Sequence, residues 1–278
     1  MISLDKTKDS KIIARLKSNN KKIYLEDKYV EPVDKRKVKK IMKDMYGKDY
    51  EKDDYDEFIN EIKIDTNRKF VSEAGDIQII PDKYKDERQT FYVTGPSGSG
   101  KSTFISGYIV EHLKAYPDSR IYLFSDKDDD EKLDKYDLLR VMLDDSLIEN
   151  PIDIDEFPED SLVIFDDIDS LSGKLRKSVY ALINKLLKVG RSYRISVIVT
   201  AHDFSNYNET RSIIQESRYV IVFARFSSSK HHLETFLKTY IGLDKDMIEK
   251  VYKSRSRWQG FYRIAPRYMI TSDEIEIL

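Results

Sequence analysis

A chain of 278 residues with 48 Lys+Arg against 50 Asp+Glu has room for one large α/β core plus an appendage, or for two small domains, and its formal net charge of −2 offers no overall field to a polyanion. The absence of cysteine excludes disulfides and thiolate metal sites and suits a reducing compartment, so a cytoplasmic setting is expected. No apolar run is long enough for a transmembrane helix, and Met1-Ile2-Ser3-Leu4-Asp5-Lys6 lacks the apolar centre of a signal peptide.

Residues 1–75 are rich in lysine and aspartate with weak apolar periodicity, and read as a charged, partly helical appendage with limited burial. Val33 to Tyr46 has helical spacing through Val38, Ile41, Met42 and Met45 and stops at Gly47, and a second short helix is expected from Asp54 to Ile62. Over residues 76–278 strands and helices alternate. Ile77 to Ile80 reads as a strand stopped by Pro81, and Phe91 to Thr94 as another. Ser102 to Tyr116 carries helical spacing in Phe104, Ile105, Tyr108, Ile109 and Leu113. Arg120 to Phe124 is a strand, Asp126 to Glu131 an acidic run read as a solvated loop, and Leu133 to Leu143 has helical spacing. Ser161 to Phe165 is a continuous apolar strand of the kind buried on both faces of a parallel sheet. A helix is expected from Gly173 to Val189, a strand from Ile195 to Thr200, a helix from Thr210 to Glu216 and a strand from Arg218 to Phe223. Helices from Lys230 to Tyr240 and Lys245 to Tyr252 and a strand from Gly260 to Ile264 complete the pattern. Alternation of this kind predicts an α/β fold with a mainly parallel central sheet flanked by helices.

Between the strand at 91–94 and its helix stands Gly95-Pro96-Ser97-Gly98-Ser99-Gly100-Lys101-Ser102, a complete G-x-x-x-x-G-K-[ST] phosphate-binding loop, followed by Thr103. Its chemistry is specific: glycines let backbone N–H groups surround phosphate oxygens, Lys101 reaches the β- and γ-phosphates, and Ser102 offers a hydroxyl to Mg²⁺. Strand, loop and helix in that order give the arrangement the loop needs, so ATP and Mg²⁺ are the expected ligands. The strand Leu162-Val163-Ile164-Phe165 ends in Asp166-Asp167, delivering carboxylates to the carboxyl edge of the sheet, where open α/β folds bind ligands. Asp166 is the expected metal ligand and Asp167 the candidate general base. A full strand, Ile121 to Phe124, intervenes in sequence between Lys101 and Asp166. That suits the additional-strand class of P-loop ATPases, in which a polar residue on the strand after the second motif senses the γ-phosphate. Thr200 is the candidate, with His202 behind it.

With Gly190-Arg191-Ser192-Tyr193-Arg194 leading into Ile195 to His202, and Arg218 to Phe223 beyond, the chain resembles over residues 77–270 the DNA-packaging ATPases of large double-stranded DNA viruses and virophages, within the FtsK–HerA group of ring motors. Two departures stand out: Asp167 and Thr200 occupy positions where many members of the wider group carry Glu and Gln. The resemblance implies an ATP-hydrolysing motor that moves double-stranded DNA, a homo-oligomeric ring, capsid proteins as partners, and a host-cytoplasm, virus-factory or virion location; residues 1–75 are a candidate oligomerisation or capsid-docking arm. It also implies an arginine supplied to each site by the neighbouring subunit. Arg191 is the first candidate, Arg211 the second, with Arg194 and Arg218 nearby. Lys253-Ser254-Arg255-Ser256-Arg257-Trp258 and Lys174-Leu175-Arg176-Lys177 are the basic stretches suited to DNA phosphates. The competing classes are an AAA+-type loader, which requires a helical lid after the core, a nucleotide kinase, and a non-hydrolysing nucleotide lock. His231-His232 is no metal pattern, since adjacent helical side chains diverge.

Overall fold

The strands assemble, in a computed structural model describing residues 1–8, 10–26, 35–47, 68–81, 88–204 and 210–278, into two sheets, and all those from Thr90 onward join the larger one. Strands β1 (Ile2–Ser3), β2 (Ser10–Leu16), β3 (Lys22–Glu26) and β5 (Ile77–Ile79) form a separate four-stranded antiparallel sheet, in the order β1-β3-β2-β5. The ten-stranded sheet contains β4 (Lys69–Val71), β6 (Thr90–Thr94), β7 (Ile121–Ser125), β8 (Leu139–Met142), β9 (Leu162–Phe165), β10 (Ser196–Ala201), β11 (Tyr219–Val222), β12 (Gln259–Tyr262), β13 (Tyr268–Thr271) and β14 (Glu274–Ile277). Its order is β4-β14-β13-β12-β11-β6-β10-β9-β7-β8. From β11 to β8 every pairing is parallel; from β11 to β4 every pairing is antiparallel. The chain is thus an α/β protein whose parallel centre is extended on one side by an antiparallel ribbon.

The central parallel strands β6, β9, β10 and β11 are buried along their whole length and largely apolar, because both faces of the sheet are covered there. Phe91 and Val93 of β6 join a core built with Phe104, Ile105, Tyr108 and Ile109 of α2 (Lys101–Ala115), whereas Tyr92 joins the opposite core with Val179, Ile183 and Leu186 of α4 (Gly173–Val189). Successive side chains of a strand point to opposite faces, so one pentapeptide nails two layers together. Helices α3 (Ser146–Glu149), α5 (Thr210–Glu216), α6 (Lys230–Phe236) and α7 (Lys245–Lys253) contribute to the α4 side. In space the strand between β6 and β9 is β10; β7, which intervenes in sequence, lies beyond β9.

Three expectations need correction or extension. The helical spacing over Leu133 to Leu143 becomes turns followed by the edge strand β8, paired in parallel with β7. In so short a window Leu139 and Val141 fit a period of two as well as one of 3.6. The limited burial expected of residues 1–75 does not hold for β2 and β3. A register shift between Ile12 and Ala14 puts Ile12, Ile13 and Ala14 all under cover, and Ile23 and Leu25 are fully buried in the α2-side core. A bidentate ion pair from Arg15 to Glu111 ties β2 to α2 as well. The helix α1 (Lys35–Tyr46) forms within the range expected from Val33; the helix expected from Asp54 to Ile62 lies outside the described residues. The strand expected from Gly260 is followed by two more, β13 and β14. Among the described residues no helix is long and apolar enough to cross a membrane.

Candidate active site

β6, β7, β9 and β10 run parallel and end at one edge of the sheet, where the residues following each strand converge. After β6 the chain turns back on itself. Gly98 and Gly100 take φ of 71° and 113°, a region that strains any L side chain. Gly95 donates its N–H to the Ala201 carbonyl at 3.2 Å, anchoring the loop to β10, and Ser99 N–H closes a turn on the Pro96 carbonyl at 3.1 Å. A Cβ at Gly95 would lie 2.9 Å from Ser99 Oγ and 3.0 Å from the Phe223 ring, so the approach demands glycine. Helix α2 begins at Lys101. Its first internal bond, Phe104 N–H to the Gly100 carbonyl at 3.0 Å, leaves the N–H groups of Lys101, Ser102 and Thr103 ahead of any helical acceptor, a donor cluster suited to an anion.

Lys101 is buried. Its Nζ donates to the Gly95 carbonyl at 2.8 Å and stands 3.3 Å from Asp167 Oδ1, so the phosphate loop and the end of β9 meet directly. Asp166 and Asp167 follow Phe165 and are themselves buried. Asp167 takes left-handed backbone angles, φ 48° and ψ 49°. Thr200 of β10 lies between the two acids with no exposure: its Oγ1 accepts the Asp167 N–H at 2.8 Å and donates to Asp166 Oδ1 at 2.9 Å. Its hydroxyl orients the carboxylate pair.

From the loop after β7, Lys127 reaches across. Its Nζ bonds Asp166 Oδ2 at 3.0 Å and Asp167 Oδ2 at 2.6 Å. Strand register explains the meeting, because Phe124 pairs with Phe165 and the Asp166 N–H donates to the Phe124 carbonyl at 2.8 Å. Burial alone would raise the Asp167 pKa, but the Lys127 hydrogen bond and the charges of Lys101, His202 and Lys127 outweigh it and hold the carboxyl below its ordinary value. Burial pulls the Lys127 pKa down, but its bonds to Asp167 and Asp166 dominate and push it up. Asp130, from the same loop, accepts the Ser102 hydroxyl at 2.9 Å.

His202 follows β10. Asp169 Oδ2 accepts the His202 backbone N–H at 2.7 Å and the Asp203 N–H at 3.1 Å, and Asp169 Oδ1 lies 3.4 Å from the ring Nδ1. That leaves Nε2 3.6 Å from Asp167 Oδ2 on a ring with 39% of its surface exposed, better placed than buried Thr200 to face a ligand. On the outer side of the phosphate loop, Arg257 Nε donates to the Ser99 carbonyl at 2.8 Å and Nη2 to the Gly98 carbonyl at 3.3 Å, with the guanidinium over the Phe226 ring. Trp258 packs edge-on against Phe104 of α2, centroids 5.1 Å apart. Arg257 and Trp258, read from sequence as DNA contacts, therefore wall the phosphate loop.

Oxygen donors suit a hard cation such as Mg²⁺, and Ser102 with Asp166 supplies a hydroxyl and a carboxylate of that kind. Ser99 Oγ, buried in the loop without a hydrogen-bond partner, adds a donor that a phosphate oxygen would satisfy. Among the other candidates, Arg194 is occupied by Asp160 and Glu159, while Arg191 is exposed near the amino end of β10 and Arg211 exposed on the first turn of α5. Neither reaches this chain's own acids in any contact the structure shows. Lys174 and Lys177 are exposed on the first turn of α4, and Arg176 stacks on Tyr180. Sequence reasoning missed Lys127, Asp130 and Asp169 as site residues and gave Arg257 to DNA instead of to the phosphate loop. The signal for the first two was positional: a Ser125-Asp126-Lys127 run closing a parallel strand must lie at the ligand edge.

Against known proteins, a family model described as Nephrocystin 3, N-terminal, matches residues 78–237. An uncharacterized protein of Sputnik virophage is 36% identical over 174 residues, covering 62% of this chain and 69% of that protein. The cytoplasmic domain of the Thermomonospora curvata type VII secretion ATPase aligns with 76% of this chain and 28% of its own, at TM-score 0.50 and 10% identity, a likeness of fold. The DNA-packaging ATPase of Sulfolobus turreted icosahedral virus aligns with 64% of this chain and 94% of its own, at TM-score 0.47 and 17% identity.

Proposed function

The chain belongs to the family of the Nephrocystin 3 N-terminal model, and on that premise we propose that it is an ATP-hydrolysing motor that moves double-stranded DNA and packages a viral genome into a capsid. The observation that carries the ATPase reading is the 3.3 Å approach of Lys101 to Asp167 at the edge where the phosphate loop, the β9 acids and the β10 terminus converge. The N–H groups at the start of α2 and Lys101 hold the β- and γ-phosphates. Ser102 and Asp166 would hold Mg²⁺, which would supply positive charge to neutralise the phosphate oxygens. Asp167, kept ionised, polarises the attacking water and takes its proton as the bond from the γ-phosphorus to the bridging oxygen breaks and ADP leaves. Thr200 fixes the acid pair, and His202, steadied by Asp169, faces the γ-phosphate.

The DNA reading is supported by the sequence resemblance of residues 77–270 to packaging ATPases and by the virophage relative. In that reading the motor is a homo-oligomeric ring, Arg191 or Arg211 enters the neighbour's site, and Lys174, Lys177 and Arg255 are exposed basic side chains open to DNA phosphates. The AAA+ alternative is disfavoured because the chain after β11 passes through two short helices and returns to the sheet as β12–β14 instead of building a helical lid.

Steady-state ATP turnover with and without long duplex DNA, alongside a sizing measurement, tests the proposal. Turnover stimulated by duplex DNA in a multi-subunit particle is the expected result. Phosphate transfer to a small acceptor by a monomer would replace the motor with a kinase.

A further inference from the structure

The loop after β7 touches both halves of the site. Lys127 Nζ bonds Asp166 Oδ2 at 3.0 Å and Asp167 Oδ2 at 2.6 Å, and Asp130 accepts the Ser102 hydroxyl at 2.9 Å. We propose that Lys127 is a positioning residue that neutralises the Asp166–Asp167 pair and competes with a divalent cation for Asp166. The inference rests on the functional reading above only for the identity of Asp166 as the metal ligand.

The two acids are adjacent in sequence and their side chains keep 4% and 7% of their surface, so two like charges sit where water cannot screen them. Their four oxygens are served unequally. Thr200 covers Asp166 Oδ1, and Lys101 stands at Asp167 Oδ1. Lys127 covers the Oδ2 of both, and is the one cation within ion-pair distance of Asp166 among the described residues. A cation entering at Asp166 would meet this ammonium at close range, and two positive charges cannot share that oxygen. Lys127 has the freedom to yield: its side chain is 47% exposed on a loop, so it can retain Asp167 or turn to water without stranding a buried charge. Asp130 behaves differently. It accepts the hydrogen bond of the Ser102 hydroxyl and so leaves the lone pairs of Oγ available to a metal. One loop therefore guards the carboxylate ligand with a cation and prepares the hydroxyl ligand with an anion, which couples metal entry to movement of Lys127.

Manganese titrated into the nucleotide-free protein, followed by electron paramagnetic resonance and by thermal melting, tests this without requiring turnover. Lys127→Met is expected to bind Mn²⁺ about tenfold more tightly than wild type, because a close positive neighbour has been removed. It should also melt below wild type in EDTA and recover as Mn²⁺ is added. Lys127→Arg, which restores the charge, should return both properties to wild type, and Lys127→Gln repeats the test should the Met variant not fold. Manganese affinity in Lys127→Met equal to or weaker than wild type would overturn the assignment. A wild type that hydrolyses no ATP, beside a Lys127→Met that still gains manganese affinity, would remove the motor reading and leave the role of Lys127 standing.

Discussion

Asp167 has φ 48°, carries a buried carboxylate between Lys101 and Lys127, and gives its N–H to Thr200. Left-handed backbone at a non-glycine residue costs of the order of 1 kcal/mol and persists where neighbours enforce it. Here the enforcement comes from Thr200 on one side and the two lysines on the other, which aim the carboxylate into the site instead of along the sheet. Replacing the charge while keeping the shape separates binding from chemistry. Asp167→Asn is expected to bind ATP within a few-fold of wild type while single-turnover hydrolysis falls by about 10²–10⁴. Hydrolysis at the wild-type rate would move the base elsewhere. The phosphate loop, Asp166 and Asp167 were legible in the sequence because their chemistry depends on residue type at fixed spacing. Thr200 was legible as a position but not as a partner: that its hydroxyl bonds the acids follows from β10 lying beside β9, a lateral adjacency that no spacing along the chain records.

Helix α2 joins the phosphate loop to the rest of the molecule. Its far end carries His112, fully buried, with Nε2 near the Ser119 hydroxyl at 2.8 Å and the Asp160 carbonyl at 3.1 Å and with Nδ1 unpartnered. Burial above all pushes its pKa down from 6.5 to about 4, with the Asp160 carbonyl pulling weakly the other way. The folded value lies below the unfolded one, so between those pH values the unfolded chain holds a proton that the folded chain refuses. The stability from the neutral imidazole is therefore complete above about pH 6.5 and is lost as pH falls toward 4, by about 3 kcal/mol in all. Denaturant midpoints at pH 7.5 and 4.5 should show this loss in wild type and a smaller one in His112→Gln; equal losses would assign the acid sensitivity to other groups. At this scale the long apolar elements were readable and the short mixed ones were not. The seven residues of β2 interleave Ser, Lys and Arg with Ile, Ala and Leu, and the bulge within it breaks the alternation that would have marked it as a strand. β8 failed for a related reason: four residues at a sheet edge, one exposed and three half-covered, hold too little pattern to separate two periods.

The whole molecule divides its labour across the sheet. The carboxyl edge gathers the phosphate loop, the acid pair, Lys127 and His202, while β12–β14 return the chain to the main sheet and set Arg257 on the loop's outer carbonyls. A change in the phosphate loop is thereby in contact with the antiparallel ribbon, a route by which the proposed motor would pass nucleotide state to its exterior. The basic run at 253–258 could be seen in the sequence but not located, since only the fold brings residue 257 to residues 98 and 99. Trp258 turns this arrangement into a direct reporter, because the chain's single tryptophan packs on Phe104 three residues beyond Lys101. Titration of the protein with Mg·ATP, read as Trp258 emission, is the most direct test of a triphosphate held by Lys101 and the β9 acids. A saturable change in wild type that is absent in Lys101→Ala is the predicted result; the same saturable change in both proteins would contradict it.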